Sequence, residues 1–148
     1  MARRSRARRA KAGESPVAAP LADVRPGMAG SRQELVTPEL TVGSHVEGMP
    51  PVYATPMMIM LMEKASGAAL AGHLPAGWIT VGAEVNVRHL APTPVGRTVT
   101  ATARVVEVDG RSVLFAVEAE DGVRKIGEGA HRRGAVNLES FAKRFAGL

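Results

Sequence analysis

Cysteine is absent from the 148 residues. That excludes disulfides, thiolate nucleophiles and Cys-ligated zinc, and it fits a reducing compartment. Any nucleophile must therefore be an oxygen, or water. Aromatic residues are scarce, at one Trp, one Tyr and three Phe. With 16 Gly and 7 Met available instead, the core is expected to be built from small and aliphatic side chains. No apolar run reaches the roughly 18 residues that a bilayer demands, because Glu63 and Lys64 interrupt the best one, from Pro56 to Leu74. The chain reads as soluble and cytoplasmic, with no membrane partner. Metal-ligand spacing is missing as well. His45 and His73 stand apart on a loop and at a helix end, so neither a metal nor another cofactor is expected. Gly127 and Gly129 lack the following strand-to-helix turn that a dinucleotide fingerprint needs.

Acids are absent from the first eleven residues, which hold Arg3, Arg4, Arg6, Arg8, Arg9 and Lys11. Without these six cations the formal charge of +5 becomes about −1. The pI near 10.4 thus describes an arm rather than a basic groove, and no specific nucleic-acid partner is expected. The arm is Arg-rich and acid-poor, as transit peptides are, yet it develops no amphipathic face through Pro20. Residues 1–22 are expected to form a flexible basic tail and residues 23–148 one domain, a length suited to a single core.

Within that domain an extended segment is expected around Gln33 to Val42, followed by a Pro-rich loop. Thr55-Pro56 offers a helix start, with the threonine hydroxyl as cap and proline at the first helical position. The helix should run to about Leu70. Its methionines, leucines and alanines make it apolar nearly all round, the pattern of a helix buried on most sides. After Pro75-Ala76-Gly77 the period changes to two. Trp78–His89, Thr98–Val108, Ser112–Glu120 and Arg124–Val136 read as four strands. Asp109-Gly110 and Asp121-Gly122 supply tight turns between the last three, which predicts an antiparallel meander. Asn137 can cap a closing helix through Phe145, with Leu138, Phe141 and Phe145 packing on one side. One long apolar helix followed by such a sheet describes an α+β hotdog fold, in which the sheet curls around the helix.

Three stretches carry more than fold. They are Tyr53-Ala-Thr-Pro-Met-Met-Ile-Met-Leu-Met-Glu63, then Val81-Gly-Ala-Glu-Val-Asn-Val-Arg-His89 with Ala91-Pro-Thr-Pro-Val-Gly96, and finally Ile126-Gly-Glu-Gly-Ala-His-Arg-Arg133. In this order they resemble the fluoroacetyl-CoA-specific thioesterase group of hotdog thioesterases, over roughly Val24 to Phe145. The resemblance implies an acyl-CoA substrate, with Thr55, Glu63 and His89 as catalytic residues. It also implies Gly82 beside the thioester carbonyl, Arg133 in the substrate pocket, and a site shared across a homodimer or tetramer.

Thioester hydrolysis needs a nucleophile or activated water, oxyanion stabilisation and help for the leaving thiolate. A carboxylate at Glu63, set among methionines, is expected to be desolvated and to attack the carbonyl or activate water. Thr55 can orient substrate or donate to the developing charge, Gly82 lets its amide approach, and His89 can orient Glu63 or water. Each has a plainer rival. Thr55 caps a helix, Glu63 pairs with Arg88, His89 is a satisfied interface histidine, Gly82 marks a bulge and Arg133 makes an interfacial ion pair. Strand alternation puts His131 and Arg133 on one face and Arg132 on the other.

The resemblance has one departure. Met49-Pro50-Pro51 stands where the fluoroacetate-specific enzyme presents a bulky aromatic gate, which points to hydrolysis of a short- or medium-chain acyl-CoA. Two other classes fit the fold: a non-catalytic acyl-CoA-binding dimer, and an enoyl or hydroxyacyl thioester hydratase. The second lacks its usual acid and histidine within one short motif.

Overall fold

A computed structural model describes residues 19–148; the basic run of the first eleven residues lies outside them. Leu21, expected in the tail, is buried in the core together with Val24, so the packed body begins ahead of residue 23.

Five strands make one antiparallel sheet. They are β1 (Ala29–Leu35), β2 (Trp78–His89), β3 (Thr98–Asp109), β4 (Ser112–Glu120) and β5 (Lys125–Asn137), joined by α1 (Thr55–Ala69) and closed by α2 (Leu138–Ala146). The spatial order is β1-β3-β4-β5-β2. β3, β4 and β5 are successive hairpins, with Gly110 and Gly122 at φ 59° and 85° in the two Asp-Gly turns. The four-strand meander does not form as expected. β2 joins β5 at the far edge, from Trp78 opposite Asn137 to His89 opposite Gly127, while β1 takes the open edge of β3. Alternation marks a segment as a strand but says nothing about its neighbours.

The first strand also differs from expectation. It starts earlier and stops at Leu35, because Pro38 has no amide to continue a ladder and the chain turns through two single 3-10 turns, Pro38–Leu40 and Val42–Ser44.

The core lies between α1 and the inner face of the sheet. Val99, Ala101, Ala103 and Val105 of β3 alternate inward, as do Val113, Phe115, Val117 and Ala119 of β4. From α1 they meet Met58, Leu61, Met62, Ala65 and Ala69, all buried. Each large side chain so enclosed contributes about 1.5–3 kcal/mol. The alanines let helix and sheet approach closely, and Gly30 of β1 shows how closely. A Cβ there would stand 2.7 Å from the Ala65 carbonyl oxygen and would also collide with the backbone of Ala69.

α1 is one-sided rather than buried on most sides. Met57 and Ile59 are half-buried and Met60 is 48% exposed, because the sheet covers one flank only. Asn137 does cap α2, its side chain accepting from the Ser140 amide at 3.1 Å, but Leu138, Phe141 and Phe145 remain exposed. No helix among the described residues is long and apolar enough to cross a membrane.

Candidate active site

The segment leading into α1 is tightly held. Tyr53, fully buried, donates its amide to the Thr93 carbonyl at 2.8 Å, and Ala54 donates to Leu40 at 2.9 Å. The helix then begins at Thr55, with Ala54 in the cap position and no side-chain cap. The expected capping by Thr55 therefore does not occur. Its hydroxyl is engaged elsewhere, in a 2.8 Å hydrogen bond with Nδ1 of His89. His89 ends β2, opposite Gly127 of β5. Burial lowers the pKa of its ring below 6.5, partly offset by the Ala91 carbonyl, so the imidazole is neutral at neutral pH. Its Nε2 is buried and meets no hydrogen-bond partner among the described residues.

This pair opens on a cavity of about 420 Å³ between the loop before α1 and the chain leaving β2. Val42, Met49, Val52, Pro56 and Leu90 give it mostly apolar walls. Met49 is 48% exposed at its edge.

Glu63, Gly82 and Arg133 form a second cluster, two turns along α1 and on the order of 12 Å from Thr55. Gly82 lies opposite Arg133 on β2 and β5. A Cβ at Gly82 would collide with Glu63 Oε1 and come within 3.3 Å of the His131 ring, so the glycine is the floor on which the carboxylate rests. Arg133 donates through Nε and Nη2 to the side chain and carbonyl of Thr80, at 2.9 and 2.8 Å. Its Nη1 donates to Nε2 of His131 at 3.2 Å. His131 in turn donates from Nδ1 to the Glu84 carbonyl at 2.8 Å and stacks on Phe115. Both ring nitrogens are so engaged, and the 3.7 Å approach of Nε2 to Glu63 is too long for a hydrogen bond. The cation beside Glu63 is Arg133. Burial lowers the guanidinium's pKa and the Glu63 charge opposes that.

Three expectations change here. His89 contacts Thr55 rather than Glu63. The Glu63 side chain keeps 31% exposure, so one chain does not supply the dry enclosure expected around it. Arg88 pairs with Glu128 at 3.2 Å, not with Glu63. His131 and Arg133 do share a face, while Arg132 turns away to Ser112. The sequence gives no sign that His131 is the post that orients Arg133. Alternation puts the two on one face but does not reveal that one of them is buried.

A model of the family described as fluoroacetyl-CoA-specific thioesterase matches residues 36–139. The chain belongs to that family. A curated fluoroacetyl-CoA thioesterase from Streptantibioticus cattleyicolor is 45% identical over 92 residues, which span 62% of this chain and 66% of that relative. A solved structure of the fluoroacetyl-CoA thioesterase FlK superposes with a TM-score of 0.78 at 37% identity, covering 82% of this chain and 95% of FlK. A thioesterase superfamily member from Thermus thermophilus gives a TM-score of 0.77 at 30% identity, over 83% and 91% of the two chains. These neighbours establish the hotdog fold and make this chain a member of a thioester-hydrolase family. As a member of the fluoroacetyl-CoA-specific thioesterase family, it holds its predicted site residues in two groups, Thr55 with His89 and Glu63 with Gly82 and Arg133. Among the described residues no group of three or more His, Asp or Glu is placed to hold a metal.

Proposed function

We propose that this protein hydrolyses a short- or medium-chain acyl-CoA to the free acid and CoA, as a homodimer, with Thr55, Glu63 and His89 as its catalytic residues. The observation that carries the reading is the 2.8 Å contact between Thr55 and a neutral His89 at the mouth of an apolar cavity. An uncharged imidazole with its proton on Nδ1 donates to the threonine oxygen, which leaves the threonine's own proton free. Thr55 then orients the thioester, and its hydroxyl donates as charge develops on the carbonyl oxygen. The Gly82 amide is the second donor, beside the Glu63 carboxylate that rests on this glycine. Glu63, open to solvent and steadied by Arg133, takes a proton from the attacking water. Oxygen adds to the carbonyl carbon, the carbon–sulfur bond breaks, and the thiolate leaves as CoA with the proton that Glu63 took from the water.

The dimer brings the two groups together. β2 is an edge strand, and Gly82 to Asn86 are exposed along it. If two copies pair antiparallel about Val85 and Asn86, Gly82 of one falls opposite the partner subunit's His89. The uncovered Met60 and half-covered Ile59 of α1 would be enclosed by the same association. Met49 in place of a bulky aromatic leaves the acyl cavity open to chains longer than two carbons.

CoA release from a panel running from acetyl and fluoroacetyl to octanoyl and phenylacetyl tests this, with Glu63→Gln and His89→Ala as controls. Turnover lost in both folded variants supports the hydrolase; a chain that binds acyl-CoA but turns over none of the panel is a binding module instead.

A further inference from the structure

A second cavity, of about 360 Å³, lies at the opposite end of β2, where the β3–β4 turn and the first turns of α2 converge. Trp78, Arg111, Asn137, Ser140, Phe141 and Arg144 line it, and no carboxylate does. The Arg111 guanidinium sits 5.0 Å above the centre of the Trp78 ring. Among the described residues neither Arg111 nor Arg144 has an acidic partner, as is also true of Arg25, Arg32, Arg104, Arg124 and Arg132, but only these two share one cavity with two aromatic rings. Two unneutralised guanidinium groups beside an indole and a phenyl ring form a site for a flat ring that carries phosphate.

Its position along the sheet suggests which one. Trp78 and Gly82 lie four residues apart on the same face of β2, as do Asn137 and Arg133 on β5. The cavity is therefore on the order of 13 Å from the Glu63 cluster. Three of the five N–H donors of Arg133 are held by Thr80 and His131 and its charge acts on Glu63, so it is the poorer phosphate ligand. We propose that this cavity binds the 3′-phosphorylated ADP end of coenzyme A, with Arg111 and Arg144 on the phosphates and the aromatic rings against the purine. The assignment rests on the acyl-CoA hydrolase reading and extends it: the thioester end is uncharged, so fixed charge for recognition belongs at the nucleotide end. The cationic N-terminal segment is a poor occupant, since like charges would meet.

Trp78 is the single tryptophan, so intrinsic fluorescence reports on this cavity directly. Titration of the full chain with 3′,5′-ADP should give a saturable change, reproduced by CoA and not by pantetheine. In an Arg111→Gln, Arg144→Gln double variant the midpoint should rise at least about tenfold. A change produced equally by inorganic phosphate at the same concentration, or an unaltered midpoint in the variant, overturns the assignment. In turnover, KM for the best acyl-CoA should rise at least about tenfold with kcat kept, while KM for the matching acyl-pantetheine is the same in both proteins. Equal rises for both substrates, or no rise, count against it. The fluorescence arm needs no hydrolysis, so it still reads the cavity if no thioester is turned over.

Discussion

At the scale of single residues, the chemistry turns on a histidine that must stay uncharged. Protonated His89 has no lone pair left on Nε2 to take part in proton transfer, and burial keeps its pKa below the ordinary 6.5. The pH profile of kcat/KM should therefore hold level through neutrality and fall along an acid limb lying below 6.5; a limb centred above that value would remove His89 from its role. His89→Ala should lower kcat about 10²–10⁴-fold with little change in melting temperature. Gly82→Ala probes the other group. Its new methyl meets the mobile end of Glu63 rather than backbone, so turnover should fall about tenfold or more while stability changes by less than about 1 kcal/mol. A collapse of the fold in that variant would mean that the glycine serves packing instead. The five predicted site residues fall within two contact groups, which was partly legible. Thr55-Pro56, Glu63, Gly82 and His89 stood out because each is an unusual residue for its surroundings. The contacts linking them could not be read, since a hydroxyl's choice between a helix amide and an imidazole depends on what the fold brings near.

Elements were easier to read where local chemistry decides them. β2 and β4 have the predicted boundaries, because glycine-bearing turns bracket both. Asn137 and the Asp-Gly pairs act where expected for the same reason. Sheet order, the flank of α1 left open and the exposed face of α2 follow from long-range packing, which periodicity does not encode. The close seating of α1 on β1 gives a stability prediction. At Gly30 a methyl would press on the helix backbone at Ala65, Ala68 and Ala69, atoms that move only with the whole element. Gly30→Ala should cost about 1–3 kcal/mol, seen as a lowered urea midpoint at unchanged slope; wild-type stability would show that the helix can slide away freely.

At the scale of the whole molecule, one buried carboxylate ties distant segments together. Asp121, in the β4–β5 turn, is 3% exposed. It accepts from the amides of Val123 and Arg124, the Thr93 hydroxyl and the Arg97 guanidinium. Burial alone would raise its pKa, but these four donors outweigh it and hold the group at about 2. The ionised form is thus favoured by folding, worth roughly 2 kcal/mol above the unfolded pKa and lost as pH falls from about 4 towards 2. Urea titrations at pH 7 and pH 3 should show about half of that loss, roughly 1 kcal/mol, in wild type and a much smaller one in Asp121→Asn. Association is tested at the free edge. Val85, 42% exposed on β2, replaced by Lys should shift the protein to a monomer in size-exclusion chromatography and abolish turnover; an active monomer would place a complete site in one chain. The sheet order also has a temporal side. β3, β4 and β5 close through neighbouring hairpins, whereas β2 must find β5 across both of them, over a loop far longer than either hairpin turn though shorter than the one that brings β1 to β3. Because β2 carries both Gly82 and His89, a refolding chain should recover most of its strand signal first and its hydrolytic competence last, and any nascent chain released before β5 has emerged would be catalytically silent.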